Sequence, residues 1–136
     1  MNPNSAQVYR FRADTYRANR EYEKAASDFT ESIRLDNKAA QTLSNYAWLL
    51  ATCPKTALRD GKKSLELATT ACELSRWTNY RHVTVLAAAY SEVGDFKEAV
   101  RWMKKAIELG KSDDEGRAML RSFESGRPLS AEGGSP

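Results

Sequence analysis

Residues 83–109 read VTVLAAAYSEVGDFKEAVRWMKKAIEL, and the architecture can be built outward from them. Val83, Ala87 and Tyr90 stand at offsets of four and seven, which is one face of an α-helix. Gly94-Asp95 breaks the pattern, and Ala99, Met103 and Ala106 take it up again, so the stretch is two helices joined by a turn. The same arrangement occurs twice upstream. Tyr9, Ala13 and Tyr16 precede Tyr22-Glu23-Lys24-Ala25 with Phe29 and Leu35, while Leu43, Ala47 and Leu50 precede Gly61-Lys62-Lys63-Ser64 with Ala68 and Leu74. Aligned on the small residues Ala25, Ser64 and Ala99, the spacings are 39 and 35 residues. A helix pair of this size cannot shield its own apolar face, so tandem copies have to stack.

These residues resemble the tetratricopeptide repeat, a helix-turn-helix unit of about 34 residues. The third unit is the nearest to the pattern, with Leu86-Ala87-Ala88-Ala89-Tyr90, Gly94-Asp95-Phe96-Lys97-Glu98-Ala99, Met103, Ala106 and Leu109. The first departs from it at Arg12, which replaces the usual leucine, and at Arg20, which replaces the usual turn glycine. Asn19, tolerant of a left-handed backbone, is expected to carry that turn. In the second unit the surplus length falls in Thr52 to Asp60. There Pro54 must end the first helix near Cys53, and Asp60 is suited to cap the next. The run Tyr46-Ala47-Trp48-Leu49-Leu50-Ala51-Thr52-Cys53-Pro54, with Arg59-Asp60-Gly61-Lys62 and Ala71-Cys72-Glu73-Leu74, is similar to a variant repeat widespread in bacterial tetratricopeptide proteins.

The resemblance spans roughly residues 6–109. It implies an all-α fold, a right-handed α-α superhelix of three repeats at about 6–39, 40–78 and 80–111. Ser112-Asp113-Asp114-Glu115 reads as a capping box opening a further helix at about 112–125. Met119, Leu120 and Phe123 share one face of it, as a helix covering the apolar end of a repeat stack requires. Gly126 and Pro128 end it, giving one domain over 1–126 and an expected flexible tail at 127–136.

Composition narrows the function. With 41% apolar and 29% charged residues the chain is too apolar for disorder, and its net charge of +3 is spread among both signs. The densest basic group is Arg10, Arg12, Arg17 and Arg20, but Asp14 lies at helical ion-pairing distance from Arg10 and Arg17. No nucleic-acid partner is expected. Cys53, Cys72 and the single histidine, His82, cannot make a closed four-ligand metal site, and no cofactor or metal is expected. Whether the two cysteines could pair depends on geometry. No apolar run approaches a bilayer's span and no secretory leader is visible, so a cytoplasmic location is the default expectation and no membrane partner is expected. Gly61-Lys62-Lys63-Ser64 is a faint likeness of a phosphate-binding loop, yet Thr56 stands where its leading glycine belongs and Lys63 where Ser or Thr would ligate magnesium. It reads as a helix start. No enzyme is expected.

Stacked helix pairs offer a concave surface lined, in the family the chain resembles, by the first helix of each unit. Helical periodicity selects its residues independently. Opposite Leu43, Tyr46, Ala47 and Leu50 lie Gln41, Asn45, Trp48 and Thr52, and the matching stripes are Gln7, Phe11, Asp14 and Ala18, then Arg81, Val85, Ala88 and Glu92. Arg10, Arg17, Ser44, Thr84 and Ser91 flank them. The candidate peptide-binding residues are therefore Arg10, Phe11, Asp14, Arg17, Gln41, Asn45, Trp48, Arg81, Thr84 and Val85. Trp48 and Phe11 can anchor a ligand or fill gaps between units, and the Asn45 amide can grip an extended backbone or simply be solvated. Co-chaperones of the family clamp a C-terminal carboxylate with Lys, Asn and Arg; Arg10, Asn45 and Arg81 match by position, while Asp14 and Val85 depart from that set. The expected function is a non-catalytic scaffold binding a protein or peptide. Self-association through an outer helix face or an end, with Met119 and Phe123 as markers, is the alternative, and RNA binding a more remote one that Asp14 and Glu92 oppose. Monomer and homo-oligomer are left open.

Overall fold

A computed structural model describes residues 5–130. Seven α-helices and no strand occur among them: α1 (Ser5–Ala18), α2 (Tyr22–Leu35), α3 (Ala40–Thr52), α4 (Gly61–Leu74), α5 (Tyr80–Glu92), α6 (Phe96–Leu109) and α7 (Asp114–Glu124). The helices pair as α1 with α2, α3 with α4 and α5 with α6, and each pair stacks on the next, while α7 covers α6. The fold is an all-α helical-repeat solenoid.

The three residues used for alignment lie in the core. Ala25, Ser64 and Ala99 are fully buried, because each second helix crosses its partner where a large side chain would hold the two apart. At the second of these points Ser64 Oγ donates to the Ala47 carbonyl at 2.7 Å, so a hydroxyl is accommodated without an unpaired donor. Phe29 stacks on Tyr46 with ring centroids 5.5 Å apart, joining the first pair to the second. Arg12, the departure from the leucine pattern, donates through Nε and Nη2 to both oxygens of Asp28 at 2.6 and 2.9 Å. A forked ion pair thus joins α1 to α2 where a leucine would do so by burial.

The turns differ from expectation in one place. In the α1–α2 turn the left-handed residue is Arg20, with φ of 64°, and not Asn19. Arg20 takes up the strain itself, at the position that Gly94, with φ of 86°, fills between α5 and α6. Asp60 caps α4 as expected, accepting from Lys63 N at 3.0 Å. The cap of α7 is Asp113 rather than Ser112: its carboxylate accepts from Gly116 N at 2.9 Å. The surplus of the second unit is a connection of eight residues, against three in the other two turns. A single 3₁₀ turn at Thr56–Leu58 takes up part of it, and Asp60 N donates to the Leu50 carbonyl at 2.9 Å.

The described part of the C-terminal segment makes two contacts with the repeats. Leu129 packs against the core cluster, and Ser130 Oγ donates to Glu92 at 2.6 Å. Residues 131–136 of the expected flexible tail lie outside the described residues.

Candidate functional site

The first helices of the three pairs turn one stripe each to the inner side, and the stripes do not share one environment. On α1 and α3 the polar groups converge on Asp14. Asn45 Nδ2 donates to both Asp14 oxygens at 3.1 Å, and Asn45 Oδ1 accepts from Gln41 Nε2 at 2.8 Å. Arg10 approaches Asp14 at 3.7 Å and Arg17 at 4.0 Å, the ion pairs that the i, i+4 and i, i+3 spacings predict. Burial pushes the Asp14 carboxyl above its ordinary range, and it outweighs the opposing pull of Arg17, Arg10 and Asn45. The amide expected to grip a peptide backbone is therefore occupied at both ends. Phe11 stands 54% exposed beside this network, with the Arg10 guanidinium 4.5 Å from its ring centre.

Trp48 begins a different region. Its ring packs on the core and also lines a groove of about 430 Å³, to which α7 contributes Glu115, Ala118 and Met119. Thr52 and Pro54 continue the α3 side, Leu129 closes one end, and Arg17 reaches the α1 end. Arg17 Nε is buried without a hydrogen-bond partner, which leaves its nearest carboxylate beyond bonding distance. On the far side of Trp48 lies a smaller hollow of about 270 Å³, where Arg81 and Thr84 meet Lys111 and Glu115, the last two paired at 2.8 Å.

The ten sequence-selected residues are thus divided. Trp48 and Arg17 line the groove, Arg81 and Thr84 its neighbouring hollow, and Asp14 and Asn45 form the saturated network. Arg10 and Gln41 border a separate hollow near the N-terminal ends of α1 and α3. Val85 is a correction: only 8% exposed, it belongs to the core cluster and not to a binding surface. Thr84 Oγ1 is spent on the Tyr80 carbonyl at 2.8 Å. Sequence reasoning missed Ala118 and Leu129, and it named Met119 only for covering the stack or for self-association, not for this groove. The spacing of Glu115 and Met119 on one helical face was the available signal.

Chemistry elsewhere is sparse. Cys53 and Cys72 are unpaired and buried, and burial pushes Cys72 up to about 12, where no reactive thiolate exists near neutrality. His82 Nδ1 lies 3.1 Å from Ser75 Oγ, but His82 is buried and its Nε2 has no partner, so no third group orients the ring. Burial, and secondarily Arg81, lowers the His82 pKa. Among the described residues no cluster of three or more Cys, His, Asp and Glu could hold a metal ion, and no helix is long and apolar enough to cross a membrane.

A tetratricopeptide-repeat family model matches residues 6–38 and 84–112, the first and third helix pairs. The chain's first and third helix pairs are tetratricopeptide repeats. The unmatched middle pair is the one whose eight-residue connection displaces the repeat register. Among solved structures, the chain is similar to the first tetratricopeptide domain of human RPAP3, with a TM-score of 0.78 at 18% identity over 99% of this chain and 100% of that one. It is also similar to the first such domain of Spaghetti (RPAP3) bound to the HSP90 peptide SRMEEVD, with a TM-score of 0.77 at 18% identity over 92% and 94% of the two chains. The TPR2B domain of yeast Sti1 in complex with pHsp70 gives 0.76 at 20% identity over 90% and 98%. At these identities the likeness is one of fold. No curated protein matches the sequence.

Proposed function

We propose that this chain is a non-catalytic protein-binding module that holds an extended segment of its partner between α3 and α7, with Trp48 as the anchor. The observation that carries the reading is Trp48 itself: the ring borders both hollows of the inner face and packs on the core. A rigid aromatic presented in a concave site is the feature around which binding energy concentrates. The similar domain of Spaghetti holds an acidic peptide, SRMEEVD. Here Asp14 already satisfies Asn45 and draws in Arg10 and Arg17, so an acidic segment laid against α1 would meet a carboxylate. A segment that is neutral there suits this inner face better.

Affinity capture with the intact chain, repeated with Trp48→Ala and with Asn45→Ala, tests the reading. Trp48→Ala should release the captured partner at unchanged helical content, while Asn45→Ala should weaken capture only modestly. A partner retained by Trp48→Ala would end it.

Self-association is a second reading, favoured by one observation. Val8 and Phe11, three residues apart on α1, are 56% and 54% exposed. Phe123, only 1% exposed, cannot serve as an outer contact. Light scattering on the intact chain and on Val8→Ser/Phe11→Ser separates the readings, since a dimer through this patch would dissolve in the variant.

A further inference from the structure

The groove is partly filled by the chain itself. Beyond α7 the backbone turns at Gly126, with φ of 72°, and Arg127 N donates to the Ser122 carbonyl at 3.0 Å. Ser122 Oγ returns a bond to the Arg127 carbonyl at 3.1 Å, so the reversal is fixed from both sides. Two residues later Leu129 lines the same groove as Trp48 and Met119 and packs on the core cluster. Ser130 Oγ then donates to Glu92 Oε1 at 2.6 Å. Glu92 belongs to the inner stripe of α5 and is held from behind by Arg59 at 3.4 Å, so the acceptor is fixed independently of Ser130. A short segment, with a turn at Leu129 and a helical residue at Ser130, thus leaves α7, reaches α5, and places one apolar side chain in the groove and one hydroxyl on a carboxylate.

We propose that Leu129-Ser130 fill in cis the place that a partner's peptide takes in trans: a segment in which a leucine-sized apolar side chain is followed by a residue with a hydroxyl or N–H donor. This rests on the groove reading above and adds the chemistry of the ligand. The apolar requirement comes from Trp48, Leu49, Ala118 and Met119, which line the groove together with the polar Arg17, Thr52 and Glu115. The donor requirement comes from Glu92, which accepts from a hydroxyl, an amide or an ammonium and repels a carboxylate. Because the cis segment is tethered one residue before Pro128, its effective concentration at the groove is high, and a partner has to displace it.

The test uses the full chain carrying Leu129→Ala with Ser130→Ala, and as probe a capped peptide of residues 126–136. The readout is the Trp48 indole N–H signal, identified with Trp48→Phe. The double variant should shift that signal at unchanged circular dichroism, and the peptide should restore it saturably. Peptides carrying Leu129→Ala or Ser130→Asp should bind at least about tenfold more weakly, as should the unmodified peptide to the wild-type chain. Ser130→Ala alone, which keeps the leucine packing, should give the wild-type chain a few-fold gain in peptide affinity. An unmoved Trp48 signal in the double variant overturns the proposal, and so does a moved signal that the peptide fails to restore. Either result leaves the groove reading standing, since that falls only if Trp48→Ala retains the captured partner.

Discussion

Asp14 and Trp48 lie on the same inner surface, on neighbouring helices, yet their surroundings differ. Around Asp14 two arginines, an asparagine and a glutamine spend their polar groups on one another. Around Trp48 apolar side chains (Leu49, Ala118, Met119 and Leu129) alternate with Arg17, Thr52 and Glu115, and together they line about 430 Å³ of open groove. Both regions are built from the same kind of stripe, on first helices that pack in the same way. The difference arises from what each stripe faces. The α1 stripe has only α3 beside it, so its charges neutralise one another, while the end of α3 faces α7 across a gap that neither helix closes. A concave repeat surface is therefore not uniformly a binding surface.

The largest effect expected is the loss of the seam under both regions. Phe29 is fully buried and stacked on Tyr46, so Phe29→Ala should destabilise the chain by about 3–5 kcal/mol in urea unfolding. It should also abolish whatever the groove binds. Next is the contrast itself, which Asp14→Asn should weaken. That change removes the carboxylate and leaves Arg10, Arg17 and Asn45 to an external anion. An acidic heptapeptide with a free C-terminus should then bind about tenfold more tightly than to the wild type, or about 1.4 kcal/mol, in fluorescence anisotropy. Equal binding to both would show that Asp14 is not what closes this half.

The fold was largely legible because its signals are periodic and local. Offsets of four and seven, with small residues at Ala25, Ser64 and Ala99, state where helices cross regardless of what lies around them. Arg20 and Asp113 were misread in favour of Asn19 and Ser112, since side-chain propensity ranks candidates for a turn or a cap and packing then chooses between neighbours one residue apart. The site was legible only in part. Trp48, Asp14 and Arg17 could be placed on the inner face from periodicity alone. That Asn45 is saturated, that Val85 is covered and that Leu129 returns to the groove are consequences of contacts between distant elements, which no spacing within one helix encodes.

Acid separates the inner network from the helix behind it by sign. Burial holds His82 below its ordinary pKa, so the folded state prefers the neutral ring, and its contribution is lost as pH falls below about 6.5, the value in an unfolded chain. Asp14 is held above its ordinary value, so the folded state takes up its proton more readily, and protonation there adds stability at lower pH. Urea midpoints should accordingly decline from pH 7 towards 5.5 in the wild type, and the decline should flatten in His82→Gln. In Asp14→Asn the decline should persist, and the further fall in stronger acid, where Glu23, Glu31 and Asp113 lose their partners, should steepen because Asp14 no longer opposes it.

The smallest effect expected is at the edge of the groove, where the two thiols report on its occupancy. Cys53 borders the groove beside Pro54, whereas Cys72 sits in the core with its pKa pushed up to about 12, so that only about 10⁻⁴ of it is thiolate at pH 8. Cys72 can react only through opening of the fold, at a rate set by global or sub-global stability. Cys53 is also raised by burial, but the groove gives it a nearer path to solvent. Alkylation followed by peptide mass spectrometry should find Cys53 modified faster than Cys72 in the native chain, and both modified alike in urea. A peptide filling the groove should slow Cys53 a few-fold and leave Cys72 unchanged; if it slows both equally, it acts by stabilising the whole fold and does not lie beside Trp48.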